Sequence, residues 1–452
     1  MALLENAKAE LKRRSATLPQ EILKWEQNVA GNKDNLGIHK SQFVALKIMM
    51  DGLQVQQDDL LHNLSTDFSP EQFADDYFKI INQLVGSYEL WRIFRYILTQ
   101  REDQHLHPLL DAADLIANDC YRTPIKKALE WGLISEDKVR EPPLTYLEAE
   151  LSPSTASRGY SVTALSFPLR FYRNLRLPIP IVLLPYDHAT SIWMYCSLHH
   201  EVGHNLDQDL KLSSELEQKV MLRLGEAGVP DERRRMWVKW VGEILADAFG
   251  VLLGGAGFAY SLNSFLMVLA PSAQFQILNP DDPHPPFYVR LRLLANMLRL
   301  GIVPSLLDAA VEIMQLWEAR QKPNWVTSYV QDCEIVADLF LTEPLAALKN
   351  HSISEMVPDV AGDMALAERL VNPMLNGFNP PSATQLSKFP FRLIPVAAQL
   401  AFTRSNNLPE TFDLIQERAL QYLSRIDRPE YLAGVSRQEF LRQLTRELEF
   451  NQ

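Results

Sequence analysis

Apolar residues recur at helical spacing through residues 1–140. Phe73, Tyr77, Ile80, Ile81 and Leu84 fall on one face of a helix, and Trp91, Phe94, Ile97 and Leu98 form a second stripe. Ser69-Pro70-Glu71-Gln72 supplies a start signal, with a hydroxyl cap, a proline in the first turn and a glutamine three residues on. An earlier helix opens at Leu18-Pro19-Gln20-Glu21 and closes at Gly31. The pattern then changes over 141–168, where Pro142-Pro143, Ser152-Pro153-Ser154-Thr155 and Ser166-Phe167-Pro168 give an extended, turn-rich junction. Strand signals are confined mainly to 160–184, most clearly Ile179-Pro180-Ile181-Val182-Leu183-Leu184. A helix follows over 191–204, with Trp193, Cys196, Leu198 and Val202 as its apolar positions. Helical spacing returns at 306–320, 333–349, 363–370, 393–402, 408–426 and 437–448, interrupted at Asn376-Gly377-Phe378-Asn379-Pro380-Pro381. The expected fold class is mainly α with a small β-sheet (α+β). Its expected parts are a helical N-terminal region (1–140), a junction (141–168), a core (169–300) and a helical C-terminal region (301–452).

One segment departs from amphipathic patterning. Residues 248–270 carry no charged side chain and are long enough to span a bilayer. They also contain Gly250, Gly254, Gly255 and Gly257, which favours a buried core element in two pieces, broken near Gly254-Gly255. A membrane anchor is the competing reading.

Composition narrows the function. Of 452 residues, 47% are apolar and 22% charged, as in an ordinary globular chain. The net charge of −12 argues against nucleic acid as a partner. Arg233-Arg234-Arg235, the main basic run, reads as the exposed start of the helix that carries Glu243. The three cysteines, Cys120, Cys196 and Cys333, show no C-x-x-C spacing, and their odd number fits a reducing compartment. The first ten residues mix acids and bases with no apolar run, so a cytoplasmic location is expected.

The chemistry is concentrated in His199-His200-Glu201-Val202-Gly203-His204, which contains H-E-x-x-H. Residues four apart stand one above the other on a helix, so His200 and His204 can offer two imidazole nitrogens to one zinc ion. Glu201 can reach a water on that ion as general base. His199 is turned about a hundred degrees away from His200 and reads as structural or supporting. A third protein ligand must come from farther along. Glu243 is the best candidate, with Asp247 one turn on to accept the free N–H of a ligating histidine. Spacing leaves open a competitor, Glu334 with Asp338, in a segment of nearly the same shape.

A third motif makes a resemblance specific. Gluzincin metallopeptidases carry H-E-x-x-H followed by E-x-x-x-D. The HtpX-like branch, which includes the CAAX prenyl proteases, adds H-P with an arginine six residues after that histidine. This chain is similar over residues 180–295: His200-Glu201-x-x-His204, then Glu243-x-x-Ala246-Asp247, then His284-Pro285 and Arg290. The order favours Glu243 over Glu334, which lies after the H-P segment. The resemblance implies a zincin-like catalytic core holding one Zn2+ per chain, with metal ligands His200, His204 and Glu243. It further implies hydrolysis of a peptide or protein substrate, with Glu201 as general base and His284, or less directly Tyr288, facing the developing oxyanion. Asp247 and Arg290 would support the ligands. The membrane spans of that branch are not evident here, so its location and substrate do not transfer. The flanking helices offer surface for a protein partner. Two other readings stay in play: a non-catalytic helical interaction protein with a structural or vestigial metal site, and a membrane-associated metalloprotease anchored through 248–270.

Overall fold

The computed structural model describes residues 2–30, 40–64, 69–159, 177–269, 278–300, 304–319, 323–405 and 408–427. The protein is mainly α with a small β-sheet. Four helices come first: α1 (Ala2–Ser15), α2 (Thr17–Ala30), α3 (Lys40–Asn63) and α4 (Pro70–Thr99). At the start of α4, Ser69 Oγ accepts the Gln72 N–H at 3.2 Å, as the start signal requires. Helix α5 (His107–Glu130) leads into the sheet. The Gly31 helix end, Ser166-Phe167-Pro168, most of 160–184 and the 437–448 helix lie outside the described residues.

Among the described residues the sheet has three strands, β1 (Leu144–Glu148), β2 (Ser154–Ala156) and β3 (Ile181–Pro185). Their order is β1-β3-β2. β1 is parallel to β3, with Tyr146 opposite Leu183, and β2 is antiparallel to β3, with Thr155 opposite Val182. Two of the three strands thus come from the stretch read as a turn-rich junction. Residues 144–147 of β1 are all buried, so the strand lacks the polar–apolar alternation that marks a half-exposed one. Alternation appears instead in which core each face meets. Leu144, Tyr146, Ile181 and Leu183 pack with Trp25, Phe43, Trp91 and Phe94 of the N-terminal helices. Leu147, Val182 and Leu184 face the larger core that continues through to the last helices.

After β3 the chain makes two short 3-10 turns, Tyr186–Thr190 and Ile192–Cys196, and then enters α6 (Ser197–Leu210). The helix expected from residue 191 is therefore α-helical only from Ser197. Next come α7 (Ser213–Glu226), α8 (Asp231–Lys239) and α9 (Val241–Leu269). Arg233 does not open the Glu243 helix as an exposed basic end. It belongs to a separate α8, where its guanidinium bonds the buried Asp332 at 2.7 Å. The remaining helices are α10 (Phe287–Leu300), α11 (Pro304–Glu318), α12 (Val326–Thr342), α13 (Val360–Asn376), α14 (Ala383–Leu386), α15 (Leu393–Thr403) and α16 (Pro409–Leu423). Helix α12 ends at Thr342 rather than near residue 349. Pro344 lacks an N–H and disfavours helix in the residue before it, so the chain turns there.

Helix α9 is long and apolar enough to cross a membrane, but 89% of its most apolar window is buried in the fold. Its break lies at Gly255, with φ 51° and ψ −131°. A Cβ there would sit 2.3 Å from Met364 Sδ, so this kink needs glycine for both conformation and space. The kink lets the second half of α9 turn past α13 and α15 while the first half stays against α6.

Candidate metal centre

Two helices bring the donors together. On α6, His200 and His204 share a face, with Nε2 atoms 3.1 Å apart. Helix α9 crosses α6 at Gly203, where a Cβ would lie 2.8 Å from Ala246 Cα. Only glycine permits that approach, and it carries Glu243, in the first turn of α9, up to the imidazoles. Glu243 Oε2 is 3.4 Å from His200 Nε2 and Oε1 is 3.4 Å from His204 Nε2. The three donor atoms all lie within 4.8 Å of one another. Ligand atoms held about 2.0–2.1 Å from a tetrahedral ion stand about 3.3 Å apart, so this triangle has the size that zinc requires.

Hydrogen bonding supports the same fit. Glu243 Oε2 is buried yet accepts no hydrogen bond, although Arg290 Nη2 is 3.5 Å away. Two imidazole nitrogens face each other across 3.1 Å beside it. Without a metal the cluster is bridged by the proton that the carboxylates keep on His200; a cation ligated by all three would replace that proton and give the Glu243 oxygen a partner. The residues present therefore fit a divalent metal, and two imidazoles with one carboxylate suit zinc.

Supporting contacts fix the first histidine. His200 Nδ1 lies 2.8 Å from Asp247 Oδ1, which leaves Nε2 able to ligate a metal. Arg290, in the first turn of α10, grips Asp247 through both oxygens at 2.7 and 2.8 Å. Burial alone would lower the His200 pKa, but contact with the carboxylates of Asp247 and Glu243 raises it to about 10 in the metal-free protein. Burial also works against the two carboxylates, yet Arg290 and His200 hold Asp247 below its ordinary value and the same partners hold Glu243 well below. Burial takes His204 down to about 4, helped by the charge on His200. Glu201 moves the other way: burial raises it to about 7, against the opposing charge of His200. A carboxylate poised there exchanges protons readily near neutrality.

A cleft of about 70 Å³ opens on the centre. Glu201, Glu243 and His284 line it, together with the apolar Met194, Phe258, Leu262 and Phe265. His284 is half-exposed, with Nε2 3.5 Å from Glu243 Oε1 and Nδ1 2.8 Å from Asp282 Oδ1. Tyr288 is buried on α10 and does not line the cleft. Glu334 is exposed on α12, outside the donor group. His199 points away from the donors, with Nδ1 2.8 Å from the Cys196 carbonyl and Nε2 3.0 Å from that of Arg392. It ties α6 to the start of α15.

Sequence reasoning missed two cleft residues, His188 and Ser197, whose Nδ1 and Oγ are buried without hydrogen-bond partners among the described residues. It also missed Gln416 on α16, which holds the loop bearing His188. Ser197 lies one turn before Glu201 on α6, whereas no local spacing relates His188 or Gln416 to H-E-x-x-H. No protein-family model, curated protein or solved structure matches the chain, so a functional reading rests on the geometry of this site.

Proposed function

We propose that the protein is a zinc-dependent peptidase. The observation that carries this reading is the cluster of His200 Nε2 and His204 Nε2, 3.1 Å apart, with the Glu243 carboxylate, whose Oε2 and Oε1 each lie 3.4 Å from one of them, and Glu201 beside it. A purely structural metal site needs the ligands but has no use for a further buried carboxylate, Glu201, in the wall of an open cleft beside them. The ligands are His200, His204 and Glu243. Zinc held there supplies Lewis acidity toward water and the scissile carbonyl.

The chain's own residues do the rest. Glu201 removes a proton from the attacking water and delivers it to the leaving amine. His284, at the cleft edge, offers Nε2–H to the oxygen of the scissile carbonyl as negative charge builds there. Its Nδ1–H donates to Asp282 at 2.8 Å, which orients the ring, so the Nε2–H is offered by the doubly protonated imidazole. Asp247 fixes the His200 tautomer, and Arg290 fixes Asp247. Three free, buried cysteines support a reducing compartment such as the cytoplasm. Burial of α9 supports the core-helix reading over the membrane anchor.

The test is hydrolysis of a degenerate peptide library by the zinc-loaded protein, read by mass spectrometry. Wild type should cleave it, and Glu201→Gln should keep its zinc and lose at least a hundredfold in rate, about the low end for a lost general base. Equal cleavage by both, or none by wild type, rejects the peptidase reading.

A further inference from the structure

His188 and Ser197 are polar side chains in the cleft that the proposed chemistry does not use. Each presents a buried polar atom, His188 Nδ1 and Ser197 Oγ, with no hydrogen-bond partner among the described residues. Native folds leave few such atoms unpaired. Both residues line the small cleft that also contains Glu201 and Glu243, so whatever enters it meets them. Burial lowers the His188 pKa to about 4, which leaves its ring uncharged at neutral pH.

The loop that carries His188 is held from a distance. Gln416 on α16 brackets it: Oε1 accepts the Ile192 N–H at 2.6 Å and Nε2 donates to the Ala189 carbonyl at 3.0 Å. Trp193 stacks on Phe402 of α15, with ring centroids 4.7 Å apart. The backbone that follows His188 is thereby fixed before any ligand arrives, the condition under which a polar contact adds most to binding. Gln416 is a positioning residue, and the C-terminal helices shape the cleft wall.

An uncharged imidazole and a hydroxyl suit an uncharged partner. An anionic ligand would call for a free cation here, and the one buried beside the donors, Arg290, is engaged by Asp247. Beyond the metal-site residues and the neutral hydroxyls of Ser152 and Ser261, the remaining wall is apolar, with Met194, Phe258, Leu262 and Phe265. The chemistry that fits is a neutral amide, which offers one donor and one acceptor.

We propose that His188 and Ser197 form a binding site for the main-chain amide adjacent to the scissile bond. The proposal rests on the peptidase reading and names how its substrate is held. Binding can be separated from catalysis with two zinc-directed probes. N-acetyl-leucine hydroxamate carries an amide beside its chelating group. 4-Methylpentanohydroxamate keeps the same side chain and has no amide. Titration calorimetry on the zinc-loaded full chain should show the first binding about tenfold tighter to wild type, about the worth of one or two hydrogen bonds. That preference should vanish in the His188→Leu/Ser197→Ala double variant and return in part in His188→Asn, which restores an amide donor near the lost nitrogen. The amide-free probe should bind all of them equally. His188→Leu should melt no lower than wild type, because it removes an unpartnered buried nitrogen. A preference that survives the double variant, an equal loss of both probes, or a melting temperature lowered by several degrees overturns the proposal and leaves the metal centre standing. Failure of wild type to bind either probe overturns the metal centre and this site with it.

Discussion

Arg290 grips both carboxylate oxygens of Asp247, at 2.7 and 2.8 Å, and both residues are buried. Asp247 Oδ1 also lies 2.8 Å from His200 Nδ1, so one carboxylate joins the arginine to a proposed metal ligand. Arg290→Leu leaves that carboxylate buried without its cation, a loss of about 3–5 kcal/mol. The expected outcome is a lower melting temperature and zinc affinity reduced about 10–100-fold, as when a partner of a ligating histidine is lost. Calorimetry and competition with a chelator measure the two. A variant that melts lower but binds zinc as wild type does would show that Arg290 serves the fold alone.

The third ligand is tested by Glu243→Ala against Glu334→Ala. Glu243 stands 3.4 Å from both imidazoles, whereas Glu334 is exposed on α12. Zinc content should fall only in Glu243→Ala. Loss only in Glu334→Ala, or equal loss in both, would place the ligand wrongly.

Proton release gives a second handle on the same site. Without metal, the carboxylates of Asp247 and Glu243 outweigh burial and raise His200 from 6.5 to about 10. At pH 8 its imidazole is therefore protonated, and zinc must displace that proton to reach Nε2. Calorimetry in buffers of different ionisation enthalpy should report about one proton released per zinc at pH 8. Because the folded value is the higher one, His200 contributes stability to the metal-free protein that is complete below pH 6.5 and is lost as pH rises through about 10. The stability difference between wild type and His200→Gln, both metal-free, should therefore shrink across that window. A difference that grows with pH would contradict the assignment.

Gly203 controls the spacing of the two donor helices. In Gly203→Ala the new methyl meets the Ala246 backbone at 2.8 Å, and backbone cannot step aside as a flexible side chain would. Overpacking of this kind costs about 1–3 kcal/mol, against about 1 kcal/mol regained from alanine's better helix propensity. The melting temperature should fall, and zinc affinity with it, because Glu243 moves away from the imidazoles. A variant unchanged in both would mean that the α6–α9 approach does not set the donor triangle.

The legibility of each part follows from its range. His200 and His204 are readable because a four-residue spacing on a helix is a local fact. Glu243, Asp247, His284 and Arg290 are readable only as an ordered set of short motifs; the structure brings Glu243, His284 and Arg290 to one cleft, with Asp247 buried behind it between Arg290 and His200. His188 and Gln416 carry no such signal: Gln416 acts on Ile192 across 224 positions, and only tertiary structure joins them. Among the elements, amphipathic helices are readable wherever one face is exposed. The strand β1 is not, because residues 144–147 are buried whichever way they point. Apolar spacing runs on past Pro344, but local backbone chemistry ends α12 at Thr342.

The most direct test of the central claim is the X-ray absorption spectrum of zinc-loaded full-length protein. The account predicts one zinc per chain in a shell of nitrogen and oxygen at about 2.0–2.1 Å, with the outer-shell scattering of two imidazoles, and with one imidazole's contribution lost in His204→Ala. Failure to bind zinc stoichiometrically, a sulfur-containing shell, or a spectrum unchanged by His204→Ala would contradict it.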